Sequence, residues 1–133
     1  MTTDQILPRA RGFSLVEMLV VIAVIGILAA IAVPNIGRIN AAAENSKDRR
    51  NAQQLASICS AAAAAGYDFI NTPTTGTLST VVQRVSTGAT VADLTSPFYN
   101  QYFGLPNLST NERTSASSYL SIANGILTYN AGF

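Results

Sequence analysis

From Phe13 to Val33 the chain is apolar almost without interruption; only Ser14 and Glu17 are plainly polar. As a helix these 21 residues extend roughly 30 Å at about 1.5 Å per residue, the thickness of a bilayer hydrocarbon core. Leu, Ile, Val and Ala fall on every side, so the pattern predicts a membrane span and not a one-sided surface helix. At Asn35 the pattern turns amphipathic. Ile36, Ile39 and Ala43 lead an apolar set that Leu55, Ile58, Ala62 and Ala65 resume at spacings of three and four. Between them lie Glu44, Lys47, Asp48, Arg49 and Arg50, read as a solvated helix face. Ala61 to Ala65 favour helix strongly, and Gly66 suits the position just past a helix end. The economical expectation is one helix from about residue 14 to 65, roughly 75 Å long. Pro34 lies inside it, where a proline removes one backbone hydrogen bond and costs about 3 kcal/mol in water. With Gly26 it marks a candidate hinge, and Gly37 loosens the same region.

After Gly66 the character changes to Ser, Thr, Asn and Gly, punctuated by Pro73, Pro97 and Pro106. Leu78, Val81, Val82 and Val85 at helical spacing predict a short helix over residues 77–85. The aromatics of 98–105 suit a strand or a packed loop. Over 109–117 a loop or short helical turn is expected, with Ser109 as N-cap and Glu112 three residues on. The clearest local signal is Asn124-Gly125, flanked by Tyr119-Leu120-Ser121-Ile122 and Ile126-Leu127-Thr128-Tyr129, a type I′ hairpin signature. So short a segment buries only a modest core by itself, so the apolar face of Leu55 to Ala65 is the expected spine on which the hairpin packs. The predicted fold class is α+β: a long N-terminal helix, half transmembrane and half amphipathic, bearing a small C-terminal head that ends in a β-hairpin.

Composition narrows the function. The chain has no histidine, one lysine (Lys47), one cysteine (Cys59) and a net charge of +1. The commonest general base and metal ligand is therefore missing, no disulfide can form within the chain, and no surface for nucleic acid is indicated. No nucleophile stands beside a plausible base, and no phosphate-cradling glycine loop or zinc-ligand spacing is present. The expectation is a protein that is not an enzyme, with no cofactor and no metal. Cys59 reads as a small buried hydrophobe.

Glu17 carries the most information. An acid at the centre of a membrane helix costs about 2.5 to 3.5 kcal/mol, less near the interface, and calls for a compensating partner. Around it the chain reads Gly12-Phe13-Ser14-Leu15-Val16-Glu17, with Arg9 and Arg11 before, the apolar run after and Pro34 beyond. In these residues the chain resembles the class III prepilin-type subunits, the type IV pilins and the pseudopilins of type II secretion systems. The resemblance is close over residues 9 to about 40, and loose for the long helix with a hairpin-bearing head.

The resemblance implies that a prepilin peptidase cuts between Gly12 and Phe13 and N-methylates Phe13. A residue without a side chain suits a tight protease cleft. Residues 1–12 would be the lost leader, 13–33 the transmembrane and filament-core helix, 34–66 its amphipathic continuation and 67–133 the head. The implied partners are the peptidase, other copies and other pilins or pseudopilins, an inner-membrane assembly platform and the lipid bilayer, with no nucleic acid. Glu17 would pair with the new N-terminal amine of a neighbouring subunit. The family also implies a cytoplasmic N-terminus and a head outside the inner membrane. Basic residues argue otherwise, since Arg9 and Arg11 precede the span while Arg38, Lys47, Arg49 and Arg50 follow it. The single cysteine and small head favour a pseudopilin over a type IV pilin. A more distant alternative is a secreted soluble protein cut after Ala30-Ile31-Ala32 by a conventional signal peptidase. Some relatives bind calcium through acids of the head, but Asp68, Asp93 and Glu112 are widely spread here, so no metal site is expected.

Overall fold

The computed structural model describes residues 12–131. Its first element is one α-helix, α1 (Leu15–Ala64), unbroken through Gly26 and Pro34. It begins at Ser14, whose carbonyl accepts the first intrahelical bond from the Met18 amide at 3.2 Å. It ends where the sequence placed its end. Gly66 takes φ +98°, the Tyr67 amide donates to the Ala62 carbonyl at 2.8 Å, and the Gly66 amide to Ala63 at 3.1 Å. These two bonds satisfy carbonyls that the last turn leaves open, and only a residue without Cβ reaches that φ cheaply.

The chain divides into two units, Met1–Ala41 and Ala42–Phe133. In the first, α1 has no cover among the described residues. Every large apolar side chain from Phe13 to Ile39 is exposed, from 45% at Met18 to 81% at Leu15.

The second unit is the head. After α1 come α2 (Leu78–Thr87), β1 (Ala89–Thr90), β2 (Tyr102–Phe103), α3 (Thr110–Ser117), β3 (Leu120–Ala123) and β4 (Ile126–Tyr129). Strands β1 and β2 pair antiparallel, and so do β3 and β4, with Leu120 opposite Tyr129 and Ala123 opposite Ile126. Asn124 (φ 53°) and Gly125 (φ 70°) make the connecting turn, both left-handed as a type I′ turn requires. Helix α3 carries the full reciprocal cap: the Ser109 hydroxyl accepts from the Glu112 amide while the Glu112 carboxylate accepts from the Ser109 amide.

The core joins Leu55, Cys59 and Ala62 of α1 to Phe69, to Val81, Val82 and Val85 of α2, and to Leu120 and Leu127 of the hairpin. The hairpin thus rests on the α1 face expected to receive it. One detail differs. The covered stripe is Ala52, Leu55, Ala56, Cys59 and Ala62, whereas Ile58 is only half-covered and lies at the margin beside Leu105. Four of those five residues are small, which lets the head approach the helix backbone closely. Arg84 closes the other side of the core, its Nη1 donating to the carbonyls of Phe69, Ile70 and Thr74 at 3.1, 3.2 and 2.8 Å. The Ser96 hydroxyl bonds the Ala65 carbonyl at 2.8 Å and ties the β1–β2 loop to the end of α1.

The charged stretch of α1 is less free than expected. Lys47 forms an ion pair with Glu112 of α3, and the Arg49 guanidinium lies 5.5 Å from the centre of the Tyr119 ring. Two of these charges therefore hold the head to its spine.

Candidate assembly site

The residues singled out by sequence gather at the start of α1. Phe13 is 80% exposed, so nothing among the described residues covers the residue at the expected cleavage junction. Glu17 stands in the first turn and is also exposed. Its Oε2 accepts a hydrogen bond from the Ser14 amide at 2.8 Å. Ser14 precedes the helix, so Glu17 satisfies an N–H that the helix itself leaves unpaired, and its negative charge sits at the positive end of the helix dipole. The sequence carries this signal in Ser14-Leu15-Val16-Glu17, the same Ser-x-x-Glu pattern as at Ser109, set here in an apolar run where the acid also bears a membrane cost. The other carboxylate oxygen, Oε1, has no hydrogen bond among the described residues. A carboxylate has lone pairs for several donors, so the cap leaves room for a second, charged one. Arg9 and Arg11 lie outside the described residues.

Gly26 and Pro34 lie farther along the same exposed stretch. A Cβ at Gly26 would meet no atom within 4 Å, so packing within this chain does not require a glycine there. Pro34 offers no N–H to the carbonyl one turn back. Just beyond it the Asn35 side-chain amide donates to the Ile31 carbonyl at 3.3 Å, so a polar group sits beside the weakened turn.

The acids of the head are occupied locally. Asp68 accepts from the Asn71 side chain and then from the amides of Ile70 and Asn71, which holds its carboxyl below the usual range. Asp93 is lowered by the Thr95 hydroxyl and amide. Glu112 is lowered to about 2 by Lys47 first and by the Ser109 cap after it. Among the described residues no three His, Cys, Asp or Glu side chains come together as a metal site would need. Cys59 is free and buried, and burial pushes its thiol up to about 11, far from a reactive thiolate.

Residues 7–33 match the prokaryotic N-terminal methylation motif. The chain is 48% identical over 48 residues to the type IV major pilin protein PilA of Myxococcus xanthus (strain DK1622), a stretch that covers 36% of this chain and 22% of that protein. It therefore spans about a fifth of the length of that curated relative. No solved structure matches. Together with a helix long and apolar enough to cross a membrane, these similarities support a class III, prepilin-type segment at the N-terminus like that of the pilins.

Proposed function

We propose that the chain is a structural subunit of a membrane-anchored helical filament. The observation that carries this reading is the exposed apolar helix from Phe13 to Val33, whose single charge is Glu17 near its start. So much exposed apolar surface needs lipid before assembly and neighbouring helices after it. A prepilin peptidase removes residues 1–12, cutting between Gly12 and Phe13, and methylates the Phe13 nitrogen. The chain is anchored in the inner membrane with its N-terminus in the cytoplasm and its head outside, and it joins other pilins at an assembly platform there. Residues 13–33 become the filament core, and Gly26 with Pro34 gives the helix its place to loosen as it leaves the bilayer.

Glu17 then has two tasks. Its Oε2 caps its own helix, while the unoccupied oxygen receives the methylated amine of a neighbour. Two unit charges about 4 Å apart attract by about 4 kcal/mol at an effective dielectric near 20, which offsets much of the cost of removing them from water.

The similarity to a major pilin supports a type IV pilin subunit, active in adhesion, motility or DNA uptake. The lone Cys59 and the small head support the second reading, a type II secretion pseudopilin. Deletion of the gene separates them: lost twitching, adhesion or DNA uptake marks a pilin, lost export of folded proteins a pseudopilin.

Mass spectrometry of the mature N-terminus tests the common reading. N-methyl-Phe13 is expected; a chain beginning at Val33 would instead mean a conventional signal peptide and overturn it. Glu17→Ala should leave insertion and cleavage intact and abolish assembled filament. Normal filaments from that variant would remove Glu17 from the mechanism. A reporter fused at Phe133 should read as extracytoplasmic, and a cytoplasmic signal would sink the topology.

A further inference from the structure

Two exposed charges on the head's part of α1, Glu44 and Arg50, have no ion-pair partner; among the described residues the only ion pair is Lys47 with Glu112. They are six residues apart. That separation advances about 9 Å along the axis and leaves the two side chains about 120° apart around it, so they cannot meet on their own helix. Each occupies a different surface. Arg50 lies about half a turn from the covered stripe of Ala52, Leu55, Ala56, Cys59 and Ala62, lining with Gln53, Gln54 and Ser57 a groove whose far edge is Ile58 and Leu105. Glu44 lies at the head's edge, lining with Lys47, Asp48, Asn111, Glu112 and Ser115 a cleft between α1 and α3. Because Glu112 already holds Lys47, the cleft keeps the unpaired negative charges of Glu44 and Asp48.

One chain thus presents a positive surface and a separate negative one, facing different ways. Copies that join positive to negative form a head-to-tail contact, which propagates instead of closing as a two-fold dimer would. The spacing also fixes an offset. If two α1 helices lie parallel without stagger, Arg50 of one copy stands about 9 Å along the axis from Glu44 of the other, out of register for a direct ion pair. A stagger of about six residues, about 9 Å, sets Arg50 of one copy level with Glu44 of the next. The proposed pair of Glu17 with a neighbour's Phe13 amine requires a stagger in the same sense, by four residues or about 6 Å. The difference of about 3 Å is within the span of a flexible arginine side chain. Arg38 stands six residues before Glu44 in the sequence and continues the alternation of sign.

We propose that Glu44 and Arg50 form an ion pair between neighbouring copies of this chain, which selects the axial stagger jointly with Glu17. This rests on the filament reading above. The test is charge reversal in the full chain, with sheared filament measured against total subunit. Glu44→Arg and Arg50→Glu should each lower filament yield about fivefold or more, with N-methyl-Phe13 still formed, and the double reversal should restore it. Wild-type yield from either single variant, or a double variant no better than the singles, overturns the pair. To guard against variants that misfold, chains carrying Glu44→Cys and chains carrying Arg50→Cys are co-expressed and treated with a short bismaleimide. A crosslinked dimer that needs both chains supports the pair; its absence from assembled filaments overturns it. If Phe13 is processed and Glu17→Ala blocks assembly while charge reversal does nothing, this inference alone fails. If Phe13 is not the mature terminus, the filament reading fails with it.

Discussion

Helix α1 is apolar in two different ways. From Phe13 to Ile39 its large side chains, mostly Val, Ile and Leu, project on all sides and every one is exposed. From Ala52 to Ala62 it is apolar on one face only, that face is made mainly of Ala with Leu55 and Cys59, and all of it is covered by the head. The first stretch has bulk and no partner among the described residues; the second has little bulk and a partner fitted to it. Substitutions in the head stripe should therefore change the stability of one molecule, while those in the exposed stretch should change only association with lipid or with other copies.

Leu55 puts that contrast to its hardest test. It is fully buried between α1 and the head, and Leu55→Ala leaves a cavity costing about 3 kcal/mol. Urea titration of the detergent-solubilised chain, followed by tyrosine fluorescence, should show the head unfolding at markedly lower urea. Ile22→Ala deletes nearly the same hydrocarbon from a side chain that is 67% exposed, and the same transition should not move. Equal shifts in the two variants would mean that the two stretches are not energetically separate.

A smaller effect sharpens the description of the head. Gly125 sits at φ 70°, and no atom lies within 4 Å of where its Cβ would be. The strain in Gly125→Val is therefore of the backbone and not a clash, at about 1 to 3 kcal/mol for a β-branched residue held there. Gly125→Asn should recover most of the loss, because asparagine tolerates the left-handed region. Equal losses from Val and Asn would point to a role for the space above the turn.

Where local chemistry decides conformation, the sequence was readable. The apolar run, the Gly66 helix end, the Ser109 cap and the Asn124-Gly125 turn each depend on a few adjacent residues, and all appear where expected. The α2 helix was anticipated too, though it extends to Thr87 and ends at Gly88 (φ 77°). The pairing of Ala89–Thr90 with Tyr102–Phe103 was not, because a two-residue ladder leaves no periodicity. Its position comes from distant contacts: the Leu105 amide on the Val85 carbonyl, and the Tyr102 hydroxyl on the Thr87 carbonyl. Nor could spacing reveal that Lys47 and Arg49 reach α3 and Tyr119, since those partners are tens of residues away. At the candidate site the residues are legible in the sequence, but the cap between Ser14 and Glu17 is masked there because one carboxylate carries two signals at once.

The ion pair that docks α3 on α1 should leave the smallest trace, readable as a pH dependence. Hydrogen bonding to Lys47, and then to the Ser109 amide and hydroxyl, lowers Glu112 from about 4.5 to about 2. A carboxyl whose folded pKa is depressed contributes stability that is fully present above its unfolded value and is lost as pH falls through the folded one. Lys47 is shifted upward by the same bond, so its share is present below 10.5 and fades as pH rises through its raised folded value. Glu112→Gln keeps an oxygen for the Ser109 amide and removes the charge. The wild-type advantage in thermal midpoint should thus be constant through neutral pH, shrink between about 4.5 and 2, and shrink again above 10.5. Asp68 and Asp93 are also lowered, but they are present in both proteins and drop out of the difference. Added salt should reduce the neutral-pH advantage, because Lys47 is exposed and its charge is screened. An advantage that persists unchanged to pH 2 would show that the Lys47 ion pair is not what α3 needs from Glu112.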